Sequence, residues 1–421
     1  MKKRVVITGL GVVAPNGVGV TAFSEAIKNG VSGIAHYPNL EALNFSCQLG
    51  GIPPISEEKK REYFTELQLR NFNSSGILYG VMAGMDALKD AGIETQGDEP
   101  NWNLGIVFGT GTSGVEKFRE AIYKLDEGNV RRLGSTTVIQ TMASGISAYL
   151  GGMSGAANMV TTNSSACATG TEAIIMCYER IAAGKATQML CGSTSDDGPY
   201  VWGGFDAMKV TTYKHNHNPT QASRPMSETA SGFVPGSGAG ALLLESLESA
   251  EKRGAKIYAE VLGGALNSGG QRGGGSMTAP NSEAVQRCIT EALLDAKVKA
   301  SEIDYINGHL TATVKDPDEI ANWCTALGRS GANFPYINSL KSMVGHCLAA
   351  SGSIEAVSAV LQLHEGFVFP NVNCNDLHPE IAQMIDEKSL PKKCKEVQLK
   401  TVAKASFGFG DVNACVIFRK K

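Results

Sequence analysis

Short apolar runs rich in β-branched residues punctuate the chain at Arg4–Thr8, Leu104–Phe108, Met159–Thr162, Met189–Cys191, Ala239–Leu244, Ile257–Leu262, Asp304–Ile306, Ala403–Ala405 and Ala414–Phe418. Between them lie longer stretches, Ser74–Ala91, Ala168–Ala183, Ser282–Ala296 and Ile354–Leu363, whose patterning is helical. The short runs fit buried strands and the long ones fit amphipathic helices, so their alternation predicts an α/β protein with helices layered on a sheet. The charged segment Glu245–Gly254 falls between two strand candidates and suggests two halves of similar architecture, 1–250 and 251–421, without a sequence repeat at that period. The glycine-rich stretch Gly263–Gly275 reads as a flexible loop.

Composition adds mainly exclusions. With 421 residues and 43% hydrophobic content the chain can bury a large core. Its net charge of −3 lacks the basic excess of a nucleic-acid binder, and an acidic partner would have to meet a local basic patch. The ten cysteines contain no C-x-x-C pair and read as reduced thiols of a cytoplasmic protein, mostly small core residues. At the N-terminus Thr8, Gly9 and Gly11 interrupt the apolar stretch, which reads as a first strand rather than a signal peptide. No apolar run approaches the roughly 18 residues of a membrane span.

Two strings have dinucleotide-fingerprint spacing, one beginning at Gly9 and the other at Gly109. The first runs into the turn Pro15-Asn16-Gly17 instead of a helix, and the acids after the second, Asp126 and Glu127, follow no strand. Both read as glycines for tight turns and close backbone approach. His215 and His217 lie two apart with no third ligand at metal spacing and read as a polar loop. His36, His364 and His378 have no supporting context and read as surface or structural.

The stretch ANMVTTNSSACATGTEAIIMCYERIAAGK is the most informative. Met159–Thr162 reads as a buried strand. From Ala168 the chain reads as helix, with Ile174, Cys177 and Ile181 on one face and Gly184 as its stop. Cys167 therefore falls where strand turns into helix. Partial positive charge and free N–H groups there favour a thiolate and predict a lowered pKa. The Cys167 N–H could also point at an oxyanion. A packed core cysteine is the commoner outcome, but the small polar flanks Ser164, Ser165, Thr169 and Gly170 argue for a nucleophile.

Two further segments, Asp304–His309 and Ile337–His346, each carry a short apolar run into Asn or Ser and then His. Loops after strands are where α/β folds place chemistry; a satisfied structural histidine is the alternative in each case. In Lys404-Ala405-Ser406-Phe407-Gly408-Phe409-Gly410-Asp411, alternating Phe and Gly would let backbone approach a ligand while rings close a pocket; an ordinary glycine-rich turn is the alternative.

These segments, with RVVITGLGVVAPNG, SSACATG, ASRPMSETASGFVPGSGAGALLLE, NGHLTAT, NSLKSMVGHCLAASGSIEA and SFGFGD in this order, resemble the elongating β-ketoacyl-[acyl carrier protein] synthases of fatty acid and polyketide assembly over nearly the whole chain. The resemblance implies a thiolase-like fold, two βαβαβαββ halves in five layers α-β-α-β-α. It implies a homodimer, or a pairing with a paralogue, that uses no metal or cofactor and takes substrates on the phosphopantetheine of acyl carrier protein. Cys167 matches the acyl-accepting nucleophile, and His309 and His346 the pair that promotes malonyl decarboxylation. Lys341 and Glu355 match a buried pair that orders the histidine region. Phe409 matches the gating aromatic, whose N–H joins that of Cys167 in the oxyanion hole. Thr311 and Thr313 match pantetheine-binding threonines, and Thr112 and Phe205 match acyl-pocket positions. Arg131, Arg132 and Lys209 fall where the family meets the acidic carrier protein.

Several positions depart from the family pattern. HGTGT or HGTST becomes His309-Leu310-Thr311-Ala312-Thr313, so Leu310 is expected to add bulk beside the pantetheine channel. Asp316 and Glu319 keep a D-x-x-E one residue closer to His309. Ser237 replaces an acid, Asp411 replaces the last glycine of G-F-G-G, and Thr112 replaces a larger apolar residue. Every reacting group remains. The expectation is fatty-acid elongation, with a specialised polyketide or aryl-polyene pathway second. A non-catalytic chain-length-factor-like partner is opposed by Cys167, His309 and His346 together. A thiolase would need a basic C-terminal cysteine, and Cys415 lies inside a strand-like run; an initiating ketosynthase would have Asn in place of His346.

Overall fold

The computed structural model describes residues 2–95 and 97–421. Besides the two-residue strand Gly17–Val18, which pairs only with the end of the first strand, its main sheet has ten strands among the described residues: β1 (Val5–Ala14), β2 (Leu104–Thr110), β3 (Val160–Thr161), β4 (Gln188–Ser195), β5 (Gly238–Ser246), β6 (Ala259–Ser268), β7 (Tyr305–Asn307), β8 (Tyr336–Asn338), β9 (Thr401–Gly408) and β10 (Val412–Arg419). Six helices matter for the site: α1 (Ser75–Asp90), α2 (Gly145–Ser154), α3 (Thr169–Ala182), α4 (Ser282–Ala296), α5 (Asp316–Leu327) and α6 (Ser351–Glu365).

The strand order is β3-β2-β4-β5-β1-β6-β10-β9-β7-β8. Read outward from the β1–β6 junction, each half repeats one order. The senses repeat too: β2 is parallel to β3 and β4 as β7 is to β8 and β9, and the remaining pairs are antiparallel. Each half thus runs βαβαβαββ. The two meet where Val5 and Ile7 of β1 pair with Val261 and Ala259 of β6. Helix α1 covers β1, β4 and β5 on one outside, and α4 covers β6 and β10 on the other. Helices α3 and α6 lie in the middle, each touching strands of both halves. The result is the five-layered thiolase-like arrangement. Strands clad by helices on both faces explain the unbroken apolar runs in the sequence.

The dinucleotide-like glycines serve packing. A Cβ on Gly9 or Gly11 would sit 2.1 Å from Ala87 O or 1.9 Å from Ala83 O, so these positions let α1 lie directly on β1. Two expectations need correction. The stretch from Gly263 is not all loop: β6 continues to Ser268, paired with β10, because glycine at 263 admits α4, whose Ala296 N would lie 2.6 Å from a Cβ there. The strand near Met159 is not buried. It is the sheet's outer edge, and Val160 is 38% exposed.

Candidate active site

Cys167 occupies the turn between β3 and α3. The residue before it, Ala166, adopts a left-handed φ of +48°. The first turn of α3 holds this shape: Thr169 Oγ1 donates to Ala166 O at 2.6 Å and accepts the Ser165 N–H at 2.9 Å. The side chains of Asn163 and Ser165 donate to Glu172 Oε2 at 2.7 and 2.6 Å. Helices α3 and α6 meet close to their N-termini. A Cβ on Gly170 would lie 2.3 Å from Ser353 N, and one on Gly352 would lie 2.6 Å from Thr171 N. This backbone-to-backbone approach brings the Cys167 turn of one half against the His346 turn of the other. The Cys167 Sγ and one ring nitrogen each from His309 and His346 lie within 4.8 Å of one another. The imidazole centroids are 5.5 Å apart with planes at 84°.

The local hydrogen bonds fix the tautomer of His346. Its Nδ1 accepts the Leu348 N–H at 3.2 Å, and Ser351 Oγ lies 2.9 Å away. A nitrogen that accepts a backbone N–H carries no proton, so the ring proton is on Nε2 and Ser351 donates. Burial, then the Lys341 ammonium, holds both histidines well below the usual imidazole range. At neutral pH the site therefore offers uncharged imidazoles, and His346 Nε2–H is a hydrogen-bond donor.

The thiol differs from the expectation of a lowered pKa. Burial pushes Cys167 up to about 11, against the Lys341 charge and the N–H groups of Phe409 and Cys167 itself, which favour the thiolate. Enclosure outweighs the helix terminus, so Cys167 rests as a thiol. Alkylation of Cys167 by iodoacetamide, followed by mass on its peptide, should accelerate nearly tenfold per unit of pH from about 7 to 9. A flat profile would mean that the thiolate is already formed.

Behind the histidines lies a buried charge cluster. Lys341 Nζ donates to His309 O at 2.6 Å and to Glu355 Oε1; Lys404 Nζ lies 2.9 Å from Glu355 Oε2. All three side chains are almost wholly buried. The loop after His309 is held by two more carboxylates. Glu319 accepts the N–H groups of His309 and Leu310, both at 2.7 Å, and Asp316 accepts those of Thr311 and Met226 at 2.9 and 2.8 Å.

Two family models match the chain in tandem, Beta-ketoacyl synthase, N-terminal domain, over residues 2–250 and Beta-ketoacyl synthase, C-terminal domain, over 258–375. The chain belongs to the beta-ketoacyl synthase family. The synthase is 33% identical to 3-oxoacyl-[acyl-carrier-protein] synthase 2 of Vibrio harveyi, over 100% of this chain and 99% of that one. It is 34% identical to the chloroplastic 3-oxoacyl-[acyl-carrier-protein] synthase I of Arabidopsis thaliana, over 99% and 86%. A solved type II polyketide acyl-carrier protein in complex with its ketosynthase, bound to the hexaketide, matches with a TM-score of 0.87 and 30% identity over all of both chains.

In this ketosynthase a cavity of about 210 Å³ opens onto Cys167, His309 and His346, and Thr311, Thr313, Val210 and Phe409 also line it. The threonine hydroxyls are 3.1 Å apart. Phe205 stands behind the lining, its ring 5.7 Å from that of Phe233 and 6.0 Å from that of Phe409. Two expectations, for Thr112 and Leu310, fare differently. Thr112 does not reach the cavity; it is exposed on the loop after β2. Leu310 adds no bulk to the channel: its side chain is fully buried in the core beside Ile320 and Trp323. Arg131, Arg132 and Lys209 are exposed and line no part of the cavity, although Lys209 adjoins Val210. Cys415 packs in the outer core with Cys288 and Ile417. Sequence reasoning missed Ser351, Lys404 and Phe233, whose ring packs edge-on against His346 with centroids 5.0 Å apart. The only signal for Lys404 was a lysine in an otherwise apolar strand.

The departures in the histidine loop carry strain. Leu310 and Ala312 adopt φ of +22° and +61° where the family pattern has glycine and glycine or serine respectively. A non-glycine left-handed residue costs on the order of 1–3 kcal/mol, offset in part by glycine's larger unfolded entropy. Ala312→Gly should therefore stabilise the fold by about 0.5–1 kcal/mol, read from the urea midpoint. A lower midpoint would show that the methyl's packing outweighs the strain.

Proposed function

We propose that this ketosynthase condenses a Cys167-bound acyl group with malonyl-[acyl carrier protein], releasing CO₂ and giving 3-oxoacyl-[acyl carrier protein] in fatty acid biosynthesis. The observation that carries this is the meeting of one sulfur with two neutral imidazoles at the end of a cavity. In the first half-reaction the Cys167 sulfur attacks the acyl thioester, and the thiol proton leaves with the departing pantetheine sulfur. The N–H groups of Cys167 and Phe409 receive the oxyanion. Malonyl-carrier then binds past Thr311 and Thr313. Its C–C bond to CO₂ breaks, and His309 and His346 stabilise the enolate oxygen, so no carboxylate base is needed. The enolate carbon attacks the acyl-cysteine, the C–S bond breaks, and the departing Cys167 thiolate takes up one proton from solvent to restore the thiol. The nucleophile belongs to the half 1–250 and both histidines to 251–421.

The reaction as read needs no metal or cofactor beyond the carrier's pantetheine, although Cys167, His309 and His346 have the spacing of a three-ligand site. Arg131, Arg132 and Lys209 are read as docking points for the acidic carrier. A second copy of the chain would cover the open edge at Val160 and the exposed apolar stripe Phe118, Ile122 and Leu125, which lies on the helix following Thr112. That pairing would bring Thr112 out of solvent. A paralogue in place of the second copy is the alternative. No described helix is long and apolar enough to cross a membrane, and the protein is read as cytoplasmic.

The test is acyl transfer followed by turnover. Incubation with acyl-carrier protein should add the acyl mass to the Cys167 peptide. Malonyl-carrier should then discharge it as 3-oxoacyl product, with or without a chelator. No adduct at any chain length would sink this reading in favour of a partner subunit. A second reading, specialised polyketide assembly, is favoured by the similarity to the hexaketide-bound ketosynthase. A panel of saturated, polyene and aryl acyl-carriers separates the two.

A further inference from the structure

Asp411 ends the turn Phe409–Asp411 between β9 and β10, 1% exposed, with a left-handed φ of +62°. Its carboxylate points at the glycine-rich loop after β6 and grips both ends of it. Oδ2 accepts the Gln271 N–H at 3.0 Å and Oδ1 accepts the Asn281 N–H at 2.8 Å. The backbone adds two bonds, Gly269 N–H to Asp411 O at 3.0 Å and Gly410 N–H to Met277 O at 2.8 Å. The loop is shaped around this group: a Cβ on Gly269 or Gly275 would lie 2.2 or 2.4 Å from Oδ2. Thr278 and Pro280 of the loop line the cavity together with Phe407 and Gly408 at the end of β9 and Phe409 of the turn. One buried carboxylate therefore joins two walls of the same opening through charge-assisted bonds.

We propose that Asp411 is a positioning residue that latches the 269–281 loop to the Phe409 turn, so that the ring uncovers Cys167 only when that wall moves with it. The latch acts on access to the site and rests on the reading of Cys167 as acyl acceptor for its purpose. Chemical access to the thiol can be measured without it.

The test uses the full chain, Asp411→Gly and Asp411→Asn. Asparagine keeps the shape and tolerates the left-handed backbone, but it presents an acceptor to only one of the two N–H groups. Cys167 would be labelled with iodoacetamide and with a bulky pyrenyl maleimide, each rate being normalised to the exposed Cys394 of the same molecule. Loss of both carboxylate bonds should raise the bulky reagent's rate at Cys167 by about tenfold in Asp411→Gly and by less in Asp411→Asn. The iodoacetamide rate should change less than the maleimide rate. Amide exchange should quicken together in 269–281 and 406–410. Unchanged bulky-reagent rates, or faster exchange confined to 269–281, would overturn the latch and leave Asp411 a local loop anchor. Failure of wild-type protein to form an acyl-enzyme would sink the condensing reading without altering this result, because alkylation needs no acyl donor.

Discussion

Cys167→Ala should lose condensation while malonyl-carrier decarboxylation survives. The two steps use different atoms. Acyl transfer and bond formation need the sulfur, and loss of a nucleophile that acts as part of a unit typically costs at least about 10⁴ in turnover. Enolate formation needs only donors at the thioester oxygen. His309 and His346 are held by contacts that do not involve the sulfur: Ser351 and Leu348 N–H fix His346, while Lys341 and Glu319 fix the backbone of His309. His309→Ala or His346→Ala should show the reverse pattern. Decarboxylation should fall roughly 10²–10³, the usual cost of one oxyanion donor, while the acyl mass still appears on Cys167. The assay is CO₂ release from malonyl-carrier beside acyl-enzyme formation. If Cys167→Ala stops both steps equally, the donors do not work independently of the nucleophile, and the division of labour drawn here is wrong.

The sequence shows that division only in part. Strand–helix alternation was legible because helix-clad strands are written as unbroken apolar runs, and the positions of Cys167, His309 and His346 after strands followed from it. Their convergence was not legible locally. It depends on Gly170 and Gly352, which look like ordinary helix residues until the two central helices are seen to touch backbone to backbone. The direction of the thiol's pKa is hidden from the sequence for a related reason. The turn into α3 is visible in the sequence, but the enclosure that outweighs its N–H groups comes from the other half of the chain. Leu310 was placed beside the channel because its neighbours line it. The backbone at φ +22° sends the side chain into the core instead.

Glu355→Gln should be the most damaging single change to the fold. In the native protein one buried carboxylate faces two buried ammonium groups, Lys341 and Lys404. Neutralising the carboxylate strands both. Breaking a buried pair by removing one partner typically costs about 3–5 kcal/mol, a large share of the roughly 5–15 kcal/mol that keeps a protein folded. Two features distinguish this from a generic core defect. Burial already lowers the Lys404 pKa, with Glu355 the main influence holding it up. Without the carboxylate that pKa falls further below the unfolded value, so over the intervening range the unfolded chain binds more protons than the folded one, and stability rises with pH. The deficit of Glu355→Gln in urea unfolding should therefore shrink as the pH is raised from neutral toward the ordinary lysine value of about 10.4, as the stranded Lys404 ammonium sheds its proton. Adding Lys404→Met should also recover part of the loss at pH 7, since it removes one of the uncompensated charges. A pH-independent deficit, or a double variant no better than the single, would mean that the damage comes from lost packing rather than from charge buried without its counter-ion.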